Sequence, residues 1–368
     1  MKLRYKITTG LLAVVAGFTG WAAWYMSHDS ECLPMATLSE GQAAMHAIQY
    51  RCYGGPEVLE HIEVAKPEPG EDEILVRVEA AAVNPLDWHY MRGTPYVMRL
   101  MGAGIGAPAD PRMGVDYSGV VESVGKGVDG FQPGDRVFGG HSGAFAEYVA
   151  VGVDSAVTAI PGNTSFAQSA AVPIAGITAI QALRDAGKLK PGQKVLVNGA
   201  SGGVGTFAVQ IAKAMGAEVH GVCSTRNVER VLSLGADHVF DYKKDNYLDS
   251  GEQYDLIIDN VGNHSLLANR KVMTENGTLV IVGAPDGKWI GPLTRPIGAM
   301  FINPFVSQSF EMLMARMKKE DLVALADLMA EGKVRSVIDR HFPLAEVPAA
   351  IAYSETGRAR GKIIIDPN

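Results

Sequence analysis

The first half of the chain consists of short apolar stretches that alternate with polar residues and end near glycine or proline. Clear examples are 74–78, 118–124 and 144–151, where apolar side chains fall at alternate positions or in brief runs. This pattern is typical of half-buried β-strands, and no helical period separates the stretches. Residues 45–166 are therefore predicted to form a small barrel-like β domain.

The pattern changes after Ala167, where apolar runs alternate with segments of helical period. A helix is predicted over 320–331, and strands are predicted near 194–198, 218–222, 238–241, 254–259 and 277–283. This alternation indicates a doubly wound parallel sheet, which assigns 167–335 to an α/β domain. The tail, 336–368, returns to strand, helix and strand, and its last strand most simply rejoins the first domain.

One long segment of the second domain, 284–317, departs from the alternation. It is rich in large apolar side chains: Trp289, Ile297, Met300, Phe301, Phe305, Phe310 and Met314. Such density favours either a pocket wall on the cofactor side or a subunit interface.

The most informative motif follows the strand predicted over 194–198. Gly199, Gly202 and Gly205 have the spacing of the dinucleotide fingerprint, between an apolar strand and an amphipathic helix. The first glycine permits a tight turn, the second lets backbone N–H groups approach a pyrophosphate, and the third permits close helix packing. The loop is therefore predicted to bind a dinucleotide through Gly199, Ser201, Gly202, Gly203, Val204 and Gly205.

The end of the next strand indicates which dinucleotide binds. An acidic residue there would bind the ribose hydroxyls of NAD, but the chain has Ser224, Thr225 and Arg226. Two hydroxyls and a guanidinium suit a 2′-phosphate, so NADP(H) is favoured over NAD(H). The alternative is a solvated surface arginine.

Composition narrows the function classes. The 368 residues carry a formal net charge of -7 and a pI near 5.7 without a dense basic stretch, which argues against nucleic-acid binding and favours small-molecule chemistry. The three cysteines, Cys32, Cys52 and Cys223, lack the paired spacing of a disulfide framework or metal knuckle, so free thiols are expected.

The N-terminus predicts a membrane anchor. An uncharged run of about 20 residues, Ile7–Met26, follows three basic residues and is long enough to span a bilayer. Aromatic residues gather where an interface would hold them: Trp21, Trp24 and Tyr25. Residues 1–44 are thus predicted to be a single-pass transmembrane helix with a polar tether, the alternative being a signal peptide cleaved near Gly20 and Ala22. The basic residues predict a far-side catalytic region, whereas the cytosolic cofactor favours the near side, so the facing side stays open.

From residue 45 onwards the chain resembles the medium-chain dehydrogenase/reductases, specifically the zinc-free quinone oxidoreductase and alkenal/enone reductase branch. The resemblance depends on motifs in both predicted domains: 82–88, 114–119, 134–138, 143–148, 170–173 with Gly176 and Thr178, the Gly199 loop, 259–262 and the closing Gly361-Lys362. It implies a GroES-like β-barrel domain around a Rossmann domain, an active site in the cleft between them, and a homodimer.

The resemblance also implies a site without metal. Zinc-dependent relatives use two cysteines and a histidine, whereas this chain is similar to them with Asn84 at the first cysteine and Gly114-Val115-Asp116 at Gly-His-Glu. No cysteine lies between Tyr53 and Val222, so catalytic and structural zinc are both rejected. Without a Lewis acid, hydride transfer suits a quinone or an α,β-unsaturated carbonyl, because conjugation spreads the developing charge.

The same resemblance implies roles for individual residues. Asn84 would hydrogen-bond near the nicotinamide ribose and substrate, and Asp87 would organise the same loop. His89 and Tyr90 follow on the cleft side as candidate proton donors or carbonyl partners, the alternative being half-buried packing. Further cofactor contacts are expected on the nicotinamide side, near the 2′-phosphate, and at the carboxyl ends of successive strands: Thr178, Tyr242, and Asn260 with Val282 and Gly283.

The sequence therefore predicts an NADP(H)-dependent, zinc-independent oxidoreductase that acts on a small hydrophobic quinone or enone. Two other functions stay open. One is a dehydrogenase of simple alcohols, and the other is a membrane-tethered NADP-binding protein without turnover, which the lack of an obvious acid–base pair would suit.

Overall fold

The computed structural model describes residues 17, 19–34, 38–39, 41–283, 287–289 and 291–367. Residues 19–27 are helical, and strands and helices then alternate to the C-terminus. The strands are β1 (Ala44–Gln49), β2 (Glu60–Ala65), β3 (Glu73–Val83), β4 (Asp116–Val124), β5 (Arg136–Gly140), β6 (Tyr148–Gly152), β7 (Val157–Ala159), β8 (Lys194–Asn198), β9 (Glu218–Cys223), β10 (His238–Asp241), β11 (Tyr254–Asp259), β12 (Met273–Ile281), β13 (Ser309–Met312), β14 (Ile338–Pro343) and β15 (Lys362–Asp366). The α-helices are α1 (Pro85–Arg92), α2 (Phe166–Ala170), α3 (Pro173–Gln181), α4 (Gly203–Ala214), α5 (Val228–Ser233), α6 (Leu266–Arg270), α7 (Thr294–Ile302), α8 (Lys319–Ala330) and α9 (Val347–Glu355).

A seven-stranded sheet forms the body of the first domain. Its order is β14-β15-β3-β4-β5-β7, and β6 pairs with the other half of β3. Ile74, Val76 and Val78 of β3 alternate with more polar neighbours and are fully buried, as the period of two requires. The C-terminal strand β15 pairs antiparallel with β3, so the end of the chain completes the sheet of the first domain.

A six-stranded parallel sheet forms the second domain, in the order β10-β9-β8-β11-β12-β13. Its centre is the buried run Val195, Leu196 and Val197 of β8, covered by α4, whose apolar face is buried. The chain runs outward from β8 to β10 and then returns to β11, which makes β8/β11 the topological switch point. A crevice opens at the carboxyl ends of strands at such a point, and ligands bind there.

These two sheets confirm the predicted α/β fold with GroES-like and Rossmann-like domains. Segment 284–317, by contrast, holds more structure than its apolar density indicated, namely α7 and the sixth strand β13. The sequence signal is weak because α7 contains Pro296 and Gly298, and β13 has only four residues. Residues 284–286 and 290 lie outside the described part.

The expectation of three free thiols is wrong. Cys32 and Cys52 form a disulfide, with Cα atoms 4.5 Å apart, and Cys223 is a buried free thiol. The pair could not be recognised from spacing because docking of the N-terminal segment onto the first domain brings it together. The region after residue 26 is accordingly packed against the domain in part, rather than forming only a polar tether.

The predicted N-terminal transmembrane helix is not supported by the structure. Residues 7–16 and 18 of the predicted span lie outside the described residues. In the part of the chain that is described, no helix has both the length and the apolar character needed to cross a bilayer.

Candidate cofactor and active site

The glycine loop between β8 and α4 has the shape of a phosphate cradle. Gly199 has φ +81°, which favours glycine, and a Cβ on Gly205 would lie 2.1 Å from the Gly199 carbonyl oxygen. A Cβ on Gly202 would meet that oxygen at an ordinary 3.5 Å. The protein therefore leaves room beside Gly202 that it does not itself fill, and no side chain caps the N-terminus of α4. Both features fit the pyrophosphate of a dinucleotide.

The carboxyl end of β11 closes on the same loop. A Cβ on Gly199 would lie 2.9 Å from Val261 Cγ2, and one on Gly283 would lie 2.0 Å from the Asn260 carbonyl oxygen. Asn260 donates from Nδ2 to the Asn198 carbonyl oxygen at 3.0 Å, and the N–H of Val282 donates to the Asp259 carbonyl oxygen at 3.0 Å. The structure thus brings Gly199, Asn260, Val282 and Gly283 together at one edge of the sheet.

Asp259 shapes this edge from beneath. Its buried Oδ1 accepts from Asn198 Nδ2 and from the N–H of Gly262, each at 2.9 Å. Its Oδ2 pairs with Arg295 Nη2 at 2.5 Å. This pair, which sequence reasoning missed, connects α7 to the loop after β11.

The adenosine end of the crevice is rich in arginine. Ser224 is buried, Thr225 Oγ1 donates to Asp241 Oδ2 at 2.6 Å, and both Arg226 and Tyr242 are exposed. The C-terminal segment meets this loop, because Arg226 donates to the Arg358 carbonyl oxygen at 3.2 Å.

Asn227 joins the glycine loop to the same group. Its Nδ2 donates to Ser201 Oγ at 3.1 Å and to Ser224 Oγ at 3.2 Å, while its Oδ1 accepts from Arg360 Nε at 3.1 Å. Sequence reasoning did not find Arg360, because it lies more than a hundred residues along the chain from the loop that it meets.

A buried charge network, formed by Asn84, Asp87, Asp116 and Lys362, lies where the first domain meets the glycine loop. Lys362 Nζ donates to Asn84 Oδ1 at 2.6 Å and to Asp116 Oδ2 at 3.1 Å. Asn84 donates from Nδ2 to Asp116 Oδ2 at 2.9 Å and from its backbone N–H to Asp87 Oδ2 at 2.7 Å. All four side chains are nearly inaccessible to solvent.

The network reaches the second domain at two points. Asp116 Oδ1 accepts from the N–H of Ile174 in the first turn of α3 at 3.0 Å. A Cβ on Gly203 would lie 3.4 Å from Lys362 Cδ, so the lysine stem runs past the first residue of α4. The buried ammonium therefore lies beside the predicted pyrophosphate cradle.

Burial dominates the titration of the two carboxyl groups. Burial raises the pKa of Asp87 from 3.8 to about 7, opposed by the hydrogen bond from the Asn84 backbone, while the charge of Asp116 adds to the rise. Burial also raises the pKa of Asp116, although Lys362 and Asn84 oppose that rise by favouring the carboxylate. One carboxyl of the network thus titrates close to neutral pH.

The network does not fit a catalytic metal. The Lys362 ammonium occupies the position between Asn84 Oδ1 and Asp116 Oδ2, where its positive charge would repel a cation. Over the described ranges, no three histidine, cysteine, aspartate or glutamate side chains are grouped to hold a metal ion.

The remaining predicted residues lie on helices at the cleft. His89 Nδ1 is 2.8 Å from the Thr94 carbonyl oxygen, so this nitrogen carries the proton of the neutral ring. Tyr90 is more exposed than His89. Thr178 of α3 donates to the Ile174 carbonyl oxygen at 2.7 Å, which places it one turn from the helix end that faces Asp116.

Sequence reasoning missed Asp116 and Lys362 as site residues, although both lie in the family motifs 114–119 and 361–362. Their positions in the chain, 246 residues apart, conceal the contact. A signal was present, because a lysine and an aspartate in apolar strands need a partner when buried.

Comparison with known proteins agrees with this geometry. The family model described as "Alcohol dehydrogenase GroES-like domain" matches residues 70–182, and that described as "Zinc-binding dehydrogenase" matches 234–365. The chain is 36% identical over 342 residues to the chloroplast envelope quinone oxidoreductase homolog of Arabidopsis thaliana, which covers 88% of this chain and 98% of that protein. It therefore belongs to the medium-chain dehydrogenase/reductase superfamily, in the quinone oxidoreductase branch.

Two further comparisons agree with that placement. The chain is 35% identical to the 2-methylene-furan-3-one reductase of Solanum lycopersicum, over 93% of this chain and 87% of that protein. The quinone oxidoreductase from Coxiella burnetii has a similar structure, with a TM-score of 0.77 and 30% identity over 89% of this chain and all of that one.

Proposed function

We propose that this protein is an NADP(H)-dependent, zinc-independent reductase of quinones or α,β-unsaturated carbonyls. The observation that carries the proposal is the open cradle at Gly202 beside the buried Lys362 ammonium. Similarity to proteins named quinone oxidoreductase and 2-methylene-furan-3-one reductase supports the substrate class.

The residues of the crevice divide the cofactor between them. Gly199, Ser201, Gly202, Gly203, Val204 and Gly205 would hold the pyrophosphate through backbone N–H groups. Arg226, with Ser224, Thr225 and Tyr242, would hold the 2′-phosphate, and Thr178, Asn260, Val282 and Gly283 would lie along the nicotinamide half. When bound, the reduced nicotinamide supplies the hydride.

The buried charge network would position the reacting groups without metal. Because Asn84 and Asp87 use their polar atoms within the network, we assign both a positioning role. Lys362 places positive charge next to the cofactor loop, which stabilises negative charge more strongly in a buried site than in water. A conjugated acceptor needs little more, since its own π-system carries the developing charge.

His89 and Tyr90 remain the candidates for direct contact with the acceptor. Both lie on α1, one and two turns from the network, and both are more accessible than Asn84 and Asp87. The hydrogen bond to Thr94 orients the His89 ring, and Tyr90 offers a hydroxyl. Either could deliver the proton that follows hydride transfer.

An acceptor screen on the full chain tests the proposal. Turnover of NADPH is measured with a naphthoquinone and an enone, with and without chelator, and again with NADH in place of NADPH. We expect chelator-resistant oxidation that favours NADPH. Activity restricted to simple alcohols would replace the proposal with the dehydrogenase alternative, and tight NADPH binding without oxidation by any acceptor would favour the binding-only alternative.

Two further parts of the proposal concern assembly. We propose that Ile7–Met26 associates with a membrane, supported by the exposed rings of Trp21, Trp24 and Tyr25 on the helical residues 19–27. Flotation of the full chain with liposomes tests this, and an N-terminus sequenced beyond Ala22 would instead indicate a cleaved signal peptide.

We also propose a homodimer formed at the end of the six-stranded sheet. β13 is its terminal strand, and the adjoining segment exposes Met300, Phe301 and Phe305, the last at 86% of its surface. Light scattering after size exclusion tests the proposal, and a monomer at micromolar concentration would contradict it.

A further inference from the structure

The N-terminal segment is attached to the loop that borders the substrate side of the cleft. We propose that residues 26–32, here called the strap, form a thiol-controlled clamp on residues 93–106, here called the substrate loop, and that the Cys32–Cys52 disulfide sets how firmly this loop is held. The proposed reductant is a dithiol. Its effect on acceptor binding, but not its effect on the strap, rests on the proposed function.

The disulfide joins two parts of the chain that contact different sides of the substrate loop. Cys32 ends the strap, and Cys52 is buried next to Tyr53. Tyr53 donates from its hydroxyl to the carbonyl oxygens of Ala103 and Gly104 at 2.7 and 2.6 Å. The covalent bond thus anchors the strap beside a residue that already holds the substrate loop.

Arg99 is the second attachment. Its side chain is 1% exposed, and it donates to the carbonyl oxygens of Met26 and His28 at 3.1 and 3.0 Å and to Asp29 Oδ1 at 2.6 Å. The strap therefore supplies the carboxylate that compensates a buried guanidinium. Release of the strap would leave this charge without that partner, which is costly for a buried group.

The same arginine connects the strap to the catalytic helix. Arg99 Nε donates to the carbonyl oxygen of Gly93, the residue that ends α1, at 2.9 Å. Its guanidinium also stacks over the rings of Tyr53 and Tyr96, 4.2 and 4.8 Å from their centroids. Since α1 carries Asp87, His89 and Tyr90, a displaced Arg99 would disturb the helix on which the proposed acceptor contacts lie.

The substrate loop also crosses to the second domain. Tyr96 donates its N–H to the Lys288 carbonyl oxygen at 2.8 Å, and its ring packs against Trp289 with centroids 4.6 Å apart. At the other end, the Ser30 N–H donates to the Gly106 carbonyl oxygen at 2.8 Å. The strap therefore holds a loop that bridges the two domains.

The redox step is a thiol–disulfide exchange. The dithiol attacks the Cys32–Cys52 bond, forms its own disulfide, and transfers two electrons and two protons to the cysteine sulfurs. The bond closes by the reverse exchange with an oxidised dithiol. Oxidising compartments preserve such bonds, and the thiols of the cytosol reduce them.

The first experiment counts thiols and measures release of the strap. Full-length protein is alkylated in denaturant before and after dithiothreitol treatment, and mass spectrometry counts labelled cysteines. We expect one labelled cysteine before reduction, at Cys223, and three afterwards. Limited proteolysis of the native protein should cut within 27–44 faster after reduction. Three labelled cysteines in unreduced protein purified under air, or an unchanged cleavage rate, would overturn the proposal.

The second experiment reads the consequence for the site. Reduction should raise the KM for the acceptor about 5-fold or more, with little change in NADPH affinity. Cys32→Ser and Cys52→Ser should show the raised KM without reductant and no response to it, whereas Cys223→Ser should respond like the natural chain. Asp29→Asn tests the Arg99 attachment and should raise the KM with the disulfide intact.

These readouts distinguish the possible failures. An acceptor KM that does not respond to complete reduction would overturn the clamp even if the enzyme is active. If no acceptor is turned over, the proposed function fails, while the thiol count and the proteolysis rate still decide whether the strap is held by the disulfide. Reduction of the natural chain needs no substitution, so a variant that fails to fold does not remove the test.

Discussion

At the residue scale, burial converts an ordinary helix-start aspartate into a group that titrates near neutrality. Asp87 occupies the first turn of α1 and accepts the Asn84 N–H, as an N-terminal acid often does. What differs is its place beneath the cleft, where desolvation outweighs that bond and raises its pKa. The local sequence motif predicts the hydrogen bond but not the shift.

Asp87→Asn should remove a defined part of the pH dependence of stability. Because the pKa of Asp87 is about 7 in the folded protein and 3.8 when unperturbed, its contribution is fully present below pH 3.8 and is lost as pH rises towards 7. In urea denaturation, the free energy of unfolding of the natural chain should fall relative to Asp87→Asn between pH 4 and 7, by on the order of a few kcal/mol. A constant difference across that range would show that the carboxyl is ionised throughout.

Gly202 and Gly205 provide a matched pair for separating ligand space from packing. Gly202→Val should leave the unfolding midpoint nearly unchanged and abolish NADPH binding, because its side chain has space in the protein but enters the cradle. Gly205→Ala should destabilise the fold itself, since its Cβ would lie 2.1 Å from a backbone oxygen. Calorimetric titration with NADPH and thermal denaturation measure the two effects. NADPH binding by Gly202→Val with unchanged affinity would refute the loop assignment.

At the element scale, the loops after β9 and before β15 meet to form the proposed 2′-phosphate site. Ser224, Thr225 and Arg226 could be recognised from the sequence because they directly follow a strand of a fingerprint unit. Arg358 and Arg360 could not, because only the return of the C-terminal segment places them beside Arg226 and Asn227.

Arg226→Ala should weaken NADPH binding by about 10-fold or more and leave NADH binding nearly unchanged, as expected for loss of a charge-assisted phosphate contact. Fluorescence titration with both nucleotides measures the ratio. Arg270→Ala, which removes an exposed positive charge on α6, serves as the control and should affect neither. An equal loss for both nucleotides in Arg226→Ala would refute the 2′-phosphate assignment.

At the scale of the whole molecule, the buried charge network joins the ends of the folded region. Lys362 of β15 reaches Asn84, 278 residues earlier, and the strand that carries it is completed only when β15 pairs with β3. The site therefore depends on closure of the first domain by the C-terminus. No local window of the sequence contains both partners.

Lys362→Met should destabilise the protein by about 3–5 kcal/mol, because Asp116 would lose its counter-charge while remaining buried. Lys362→Met with Asp116→Asn should recover much of that stability, since no unpaired charge remains, yet acceptor turnover should stay low. Urea denaturation and steady-state kinetics separate the two effects. Full activity in the stable double variant would show that the ammonium has a structural role only.

The amino-acid sequence by itself determined the two-domain α/β organisation, the Gly199 loop and the loop at Ser224. These features are local, because the periods of strands and helices and the steric demands of a glycine turn act over a few residues. Only the tertiary structure decided the Cys32–Cys52 bond, the Asp259–Arg295 pair and the charge network with its shifted Asp87. Each depends on contacts between distant segments and on the desolvation that follows when those segments pack, and neither is encoded in a short stretch of chain.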